Sequence, residues 1–208
     1  MTARLDAMEP RERIAAYDAA VRQAYWERKD VAAVRALARA GIERALALAD
    51  DAADLVDAEQ FRGTAKTIAY NLASFTWPGW AEPAVTLAAA DVADGRDTAR
   101  LNLRLAILLG RSDKTLADAW WLIGAHALAE RDLPAAAEAF VEARAFAERA
   151  DEPMRVVMLD GYAALVALLA DPAAAGRFDA VVATLRDEGS AYAEQLVTAR
   201  RVLAPKPA

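Results

Sequence analysis

One stretch, residues 120–143, constrains the fold of this chain more than any other. It reads Trp120-x2-Ile123-Gly124-x2-Ala127, then eight residues, then Ala136-x3-Phe140-x2-Ala143. Bulky and small side chains therefore alternate at helical steps in two segments with a short connection between them. This pattern predicts two helices that nest against each other, with Trp120 and Phe140 as bulky side chains of the contact. We expect both Trp120 and its neighbour Trp121 to lie in the core.

Composition favours a helical fold and narrows the classes of function. Hydrophobic residues make up 56% of the chain, which has only nine glycines and eight prolines, and this suits helices joined by short turns. The net charge of −6 gives no basic field that would draw nucleic acid or an anionic membrane, so we expect neither as a partner. Cysteine is absent, which excludes disulfides, thiolate nucleophiles and cysteine-ligated zinc.

The sequence indicates no membrane segment. The stretch from Met1 to Arg13 is charged and lacks the apolar run of a secretory signal. The longest uncharged run, Thr67 to Ala81, is too short to span a bilayer. We therefore expect a cytoplasmic protein.

Apolar residues at three- and four-residue steps predict further helices. A first helix starts near Pro10, a second follows Asp30 as its N-cap, and a third runs from about 58 to 76. The core stripe of the third helix consists of Phe61, Ala65, Ile68, Leu72 and Phe75. Residues 81–110 form either one helix of about thirty residues or two helices broken near Gly95. A capping helix is expected at 190–203 and a disordered tail at 205–208.

The 120–143 stretch resembles the tetratricopeptide repeat, whose pattern runs W-x2-L-G-x2-Y and then A-x3-F on two antiparallel helices. It departs from that pattern at Ala127, where an aromatic residue is usual, and in its late proline, Pro153. The resemblance implies an all-α fold of antiparallel helix hairpins, stacked as a short α-solenoid of about eight or nine helices. A helical bundle built from the same hairpins is the alternative. We expect one domain over residues 1–204, with its best-defined repeat at 114–150.

The stretch from Lys66 to Trp80 contains the first candidate binding residues. At 100° per residue, a helix continued to Trp77 places Lys66, Tyr70 and Trp77 within about 40° of one another, nearly opposite the core stripe. Trp80 follows the Pro78-Gly79 turn and is placed to close over the same face, and Asn71 lies between the two faces. One interpretation is a groove with aromatic contact area and a lysine for an acidic group. The other is that a neighbouring repeat buries this face and that residues 77–80 shape a tight turn.

Arginines mark a second candidate surface. Arg96, Arg100 and Arg104 follow one another at four-residue steps and form a basic stripe if that region is helical. We select Arg100 and Arg104 as residues that steer an acidic partner. The alternative is that these arginines are solvated and pair with neighbouring acids.

No recognisable catalytic motif is present. His126 is the only histidine, and the chain lacks phosphate-binding glycine loops and a G-x-S-x-G element. We predict a non-catalytic adaptor or scaffold that binds a protein or peptide segment, without a cofactor or metal. A small-molecule site or an unrecognised enzyme, with a pocket around Lys66, Tyr70 and His126, is the alternative. A homodimer formed through exposed helix faces is a third option.

Overall fold

The computed structural model describes residues 8–204 of the chain. These residues form nine α-helices and contain no strand. In chain order the helices are α1 (Pro10–Trp26), α2 (Val31–Asp50), α3 (Leu55–Phe75), α4 (Ala89–Leu108), α5 (Asp113–Ala129), α6 (Leu133–Arg149), α7 (Pro153–Ala170), α8 (Ala175–Asp187) and α9 (Tyr192–Leu203). Two short 3₁₀ turns, Pro78–Trp80 and Pro172–Ala174, lie between helices. The predicted tail at 205–208 is outside the described residues, as is the first part of the N-terminal stretch.

Consecutive helices pack against each other in pairs. In the first half of the chain α1 packs on α2, α2 on α3 and α3 on α4, and in the second half α5 packs on α6, α6 on α7 and α7 on α8. Three or four residues connect the helices of every pair except α3 and α4, which are joined by residues 76–88, and such short connections make the joined helices antiparallel. The all-α fold of helix hairpins that the sequence predicts is confirmed.

The chain divides into two compact units. The described residues of the first unit are 8–76 and 84–111, which hold α1 to α4. The second unit consists of residues 77–83 and 112–204, with α5 to α9. Residues 77–83, which lie between α3 and α4, therefore belong to a different unit from these two helices.

The core of the first unit follows the predicted stripes. Ile14, Tyr17 and Val21 of α1 are buried, as are all five predicted core residues of α3. Tyr25 stacks on Phe75 with ring centroids 4.0 Å apart, which joins the end of α1 to the end of α3. At Gly41 a Cβ atom would lie 2.9 Å from the Cβ of Tyr17, so a glycine is needed where α2 approaches α1 most closely.

The second unit is built around the α5–α6 hairpin. Phe140 is buried on Gly124, and its ring stacks on that of Tyr162 of α7 at 5.0 Å. The final helix, α9, packs on α7, on α8 and on the 3₁₀ turn at Pro78–Trp80. At the α7–α9 contact, Leu196 is fully buried against Gly161.

Residues 81–110 differ from both predicted alternatives. They contain one helix of 20 residues, α4, which runs through Gly95 without a break. Residues 81–88 are not helical. Pro83 has no backbone N–H to donate to a helix, and Ala81 and Ala84 have left-handed φ values of 48° and 64°. The helix then begins where Asp91 accepts a hydrogen bond from the Ala88 amide at 2.7 Å.

The two adjacent tryptophans of α5 do not play the same role. Trp121 is buried, as predicted, and its ring lies among those of Trp77, Trp80 and Tyr162. Trp120 is only half-buried, so its prediction as a core residue is wrong. Neighbouring residues point about 100° apart on a helix, and the face occupied by Trp121 is the one that packs inward.

One helix of the described chain, α7, is long and apolar enough to cross a membrane by length and composition, with a mean hydropathy of 1.5. Such a helix also occurs in the interior of folded domains. Met158, Leu159, Tyr162 and Leu165 of α7 are buried within the protein. The burial of these side chains accounts for part of its apolar composition.

Candidate functional site

An open groove lies on the α5–α6 hairpin of the second unit. Its volume is about 750 Å³, and it is lined by Trp120, Ala137, Glu138, Val141 and Glu142. Trp120 comes from α5, and the other four residues come from one side of α6. The lining therefore combines an aromatic ring and two aliphatic side chains with two carboxylates.

Helix capping fixes the two elements that form this groove. Ser112 accepts a hydrogen bond from the Thr115 amide at the start of α5, and Asp132 accepts one from the Ala135 amide at the start of α6. The turn between the helices reverses through Arg131, which has a left-handed φ of 65°. Since both helices start at capped positions, their register against each other is well defined.

The periodicity of α6 explains which side chains reach the groove. Its buried stripe consists of Ala136, Ala139, Phe140, Ala143 and Ala147. Ala137 lies beside that stripe, and Val141, Glu138 and Glu142 lie further round the helix, on the side away from it. Val141 remains 64% exposed, a large value for a valine on a packed helix. This apolar surface is available for contact with another molecule.

The charged residues of α6 fall into two groups. Arg144 binds Glu148 and Asp160, with contacts of 2.6 and 2.8 Å, and Arg149 lies 3.4 Å from Asp113. The acidic residues of the groove, Glu138 and Glu142, are exposed and have no ion pair among residues 8–204. The unpaired charge of α6 is therefore concentrated at the groove.

The first unit holds the predicted lysine and tyrosine. Lys66 and Tyr70 lie one turn apart on α3, both half-buried, with the Lys66 ammonium 5.5 Å from the Tyr70 ring centroid. Burial lowers the pKa of Lys66 below its ordinary value of 10.5, and the positive charge of Arg111 lowers it further. Arg111 itself lies 3.7 Å from Glu59. The structure thus brings Lys66 and Tyr70 together, as the sequence predicts.

Asn71 has an internal partner. Its side-chain amide donates a hydrogen bond of 2.8 Å to Asp18 of α1, and Asp18 also binds Arg22 at 3.0 Å. This contact connects α3 to α1 within the first unit. It gives Asn71 a role in helix packing, whereas the sequence suggested recognition.

Trp77 is part of an interior aromatic cluster. Helix α3 ends at Phe75, so the helical projection that places Trp77 beside Lys66 and Tyr70 does not apply. The Trp77 ring is 1% exposed, and its indole N–H donates to the carbonyl oxygen of Ala125 at 3.0 Å. It also folds over Gly79, where a Cβ atom would lie 2.2 Å from the ring. These contacts favour the interpretation in which residues 77–80 shape a tight turn.

Trp80 stays with Trp77 in the same cluster. Their rings meet edge to face at 4.9 Å, and Trp80 also lies 5.6 Å from Trp121. Trp80 is half-buried, so part of its ring is accessible. Tyr162 completes the cluster and accepts a hydrogen bond of 2.8 Å from Gln195. Burial raises the pKa of the Tyr162 hydroxyl well above its ordinary range, with the Gln195 hydrogen bond opposing that shift.

The predicted arginine stripe lies on α4. Arg100 and Arg104 are exposed, and Arg100 lies 3.6 Å from Asp97. Arg104 has no ion pair among the described residues. Ile107 and Leu108 are also exposed on this helix, by 59% and 66%. Arg100 and Arg104 are thus solvated, and Arg96 and Arg100 both lie beside Asp97, which partly neutralises them.

His126 lies in the last turn of α5 and is fully buried. It belongs to the second unit, whereas Lys66 and Tyr70 belong to the first. Within residues 8–204 no group of three or more acidic or histidine side chains is arranged to hold a metal ion. His126 is therefore an interior residue of the second unit.

Sequence reasoning did not identify Ala137, Glu138, Val141 and Glu142 as site residues. Their signal was nonetheless present, because Glu138 and Glu142 repeat at a four-residue step and Ala137 and Val141 repeat beside them. Trp120, the residue that completes the groove, was assigned to the core. With Trp120 in the core, no aromatic residue was left to indicate a surface on this hairpin.

Comparison of the chain with protein-family models, curated proteins and solved structures gave no match.

Proposed function

We propose that this chain is a non-catalytic module that binds a polypeptide segment of a partner protein in the α5–α6 groove. The observation that carries the proposal is the open groove of about 750 Å³ with Trp120 and the exposed Val141 in its lining. Exposed aromatic and aliphatic side chains in a concave surface supply most of the affinity of protein–protein contacts. Peptides bind helical surfaces of this kind through apolar anchor residues.

The resemblance of residues 120–143 to the tetratricopeptide repeat supports the same proposal, because such repeats serve as binding modules. In that comparison Gly124 and Phe140 occupy the glycine and phenylalanine positions, and they touch in the structure. On the first unit, the predicted contacts for an acidic partner remain Lys66, Tyr70, Arg100 and Arg104.

Site-specific photo-crosslinking tests the proposal. A photo-reactive amino acid replaces Val141 in the groove and, in a control protein, Ala15, which is exposed on α1. We expect capture of a partner protein from the native lysate at position 141 and not at position 15. The captured protein should be lost when Trp120→Ala is added and retained with Trp26→Ala, which truncates a tryptophan that is 57% exposed on the first unit.

Circular dichroism checks that each variant is folded. Equal capture at positions 141 and 15 would contradict the proposal. Capture that is insensitive to Trp120→Ala would also contradict it, because a segment seated in the groove must contact that ring.

A further inference from the structure

The charges of the α5–α6 groove have one sign only. Glu138 and Glu142 are its charged lining residues, and no lysine, arginine or histidine is among those that line it. The two carboxylates lie one helical turn apart, a spacing of about 6 Å between Cβ atoms. Like charges at this spacing destabilise a helix slightly. A cation placed between them would relieve that repulsion.

The lysine and the arginines of α5 and α6 do not supply this cation. The two arginines of α6, Arg144 and Arg149, are engaged with acids away from the groove, and Lys114 of α5 binds Glu152. Within residues 8–204 the groove carboxylates thus have no internal counter-charge. The charge that would complement them has to come from a bound molecule.

The uncharged lining suits the rest of a long cationic side chain. Lysine and arginine place their aliphatic stems on apolar surface while the charged group reaches polar partners. Ala137 and Val141 provide such a surface, and the Trp120 indole is the aromatic ring that attracts a cation most strongly. The groove therefore combines an apolar wall, an aromatic ring and a pair of carboxylates.

We propose that this groove selects a basic segment of its partner, with a lysine or arginine side chain that lies along Ala137 and Val141 beside Trp120 and places its charge between Glu138 and Glu142. This inference rests on the proposed function and specifies the chemistry of the bound segment. An acidic segment would meet two uncompensated carboxylates and is disfavoured. The basic partner of this groove is distinct from the acidic partner predicted for the arginines of α4.

Nuclear magnetic resonance titration of the full-length, ¹⁵N-labelled chain tests the inference. The probes are four short peptides, acetylated and amidated, that carry one lysine, arginine, glutamine or glutamate between two leucines. The signals followed are the Trp120 indole N–H, assigned with Trp120→Phe, and the backbone amides of residues 137–142. We expect the lysine and arginine peptides to bind about tenfold more tightly than the glutamine peptide, and the glutamate peptide more weakly still.

Charge-neutral variants identify the carboxylates that act. Glu138→Gln with Glu142→Gln should reduce the preference for lysine over glutamine to about twofold or less and leave the leucine-dependent part of binding in place. The matched control is Glu43→Gln with Glu188→Gln, two exposed acids on α2 and after α8 that also have no ion pair among the described residues. This control removes the same net charge and should keep the full preference.

The possible outcomes separate the inference from the proposed function. Equal binding of all four peptides in the groove would overturn the inference and leave the groove as a polypeptide site. Absence of groove shifts with every peptide would overturn both. Light scattering on the same samples tests whether a second copy of the chain fills the groove. In that case self-association would depend on concentration, broaden the groove signals and be lost with Trp120→Ala. This result would overturn the inference.

Discussion

Phe140 packs directly on the backbone of Gly124, and this contact sets how closely α5 and α6 approach each other. A Cβ atom at Gly124 would lie 2.6, 2.8 and 2.9 Å from Cε1, Cδ1 and Cζ of the Phe140 ring. Phe140 is 1% exposed, and the other face of its ring is occupied by Tyr162. The ring has no free space to move into. The close contact therefore depends on the absence of a side chain at position 124.

Gly124→Ala is expected to destabilise the protein by about 1–3 kcal/mol, because the added methyl group must displace a ring that is held on both sides. Gly176→Ala is the control, since Gly176 lies in α8 and a Cβ atom there meets nothing within 4 Å. That change should leave the free energy of unfolding unchanged or raise it by up to about 0.5 kcal/mol. Urea unfolding followed by circular dichroism measures both. Equal effects at the two positions would show that the Gly124 contact is not tight.

Hydrophobic periodicity was sufficient to predict the helices that carry a clear stripe. In α3 the five predicted core residues are buried, and the α5–α6 hairpin occupies the predicted positions. The segment before α4 could not be predicted in the same way, because its boundary depends on left-handed alanines at 81 and 84. Alanine is a strong helix former, so its propensity favours a helix there, whereas Pro83 and the two left-handed residues break it.

The candidate site was harder to predict than the fold. Trp120 and Trp121 are the same residue type at adjacent positions, and periodicity in an alanine-rich helix does not decide which of them points inward. The structure places Trp121 in the core and Trp120 on the groove. Similarly, the position of Trp77 beside Lys66 and Tyr70 was predicted by extending α3 beyond Phe75, which is the last residue of the helix. For Trp120 and Trp121 the missing information is a contact with residues distant in sequence, whereas α3 ends before Trp77 because the residue before a proline, here Pro78, is disfavoured in helical geometry.

The two tryptophans Trp77 and Trp120 should respond differently to replacement by phenylalanine. Trp77→Phe removes the buried hydrogen bond to Ala125 and part of a packed ring, so we expect a loss of about 2 kcal/mol in the free energy of unfolding. Trp120→Phe should cost less than about 1 kcal/mol because that ring is half-exposed. Chemical unfolding measures both variants under the same conditions. A larger cost for Trp120→Phe would mean that Trp120 supports the core and does not primarily serve the groove.

The same substitution at two asparagines of the first unit is expected to have opposite effects. Asn102 is fully buried in α4, and neither its Oδ1 nor its Nδ2 has a hydrogen-bond partner among the described residues, so it bears an uncompensated cost of desolvation. Asn102→Ala should raise the free energy of unfolding by about 1 kcal/mol. Asn71→Ala should lower it by about 1 kcal/mol, because it breaks the hydrogen bond to Asp18. Thermal and urea unfolding determine both signs, and destabilisation by Asn102→Ala would indicate that its amide is satisfied by a bound molecule such as water.

Lys66 should make the stability of the chain depend on pH in the alkaline range. Its pKa is lowered in the folded protein, first by burial and then by Arg111, from an ordinary value of 10.5. Between the folded and unfolded pKa values the unfolded chain binds more protons, so the contribution of Lys66 to stability rises with pH in that window.

Lys66→Met keeps the aliphatic stem without the charge, and we expect it to be more stable than the natural chain at pH 7. That advantage should shrink as the pH rises to about 10.5, because the folded lysine loses its charge and with it the cost of burial. Urea unfolding of both proteins from pH 7 to pH 10 measures the difference between their free energies of unfolding. Groups that titrate in both chains contribute equally to the two values and cancel in this difference. A difference that stays constant or widens with pH would show that the burial of Lys66 does not disfavour its charged form.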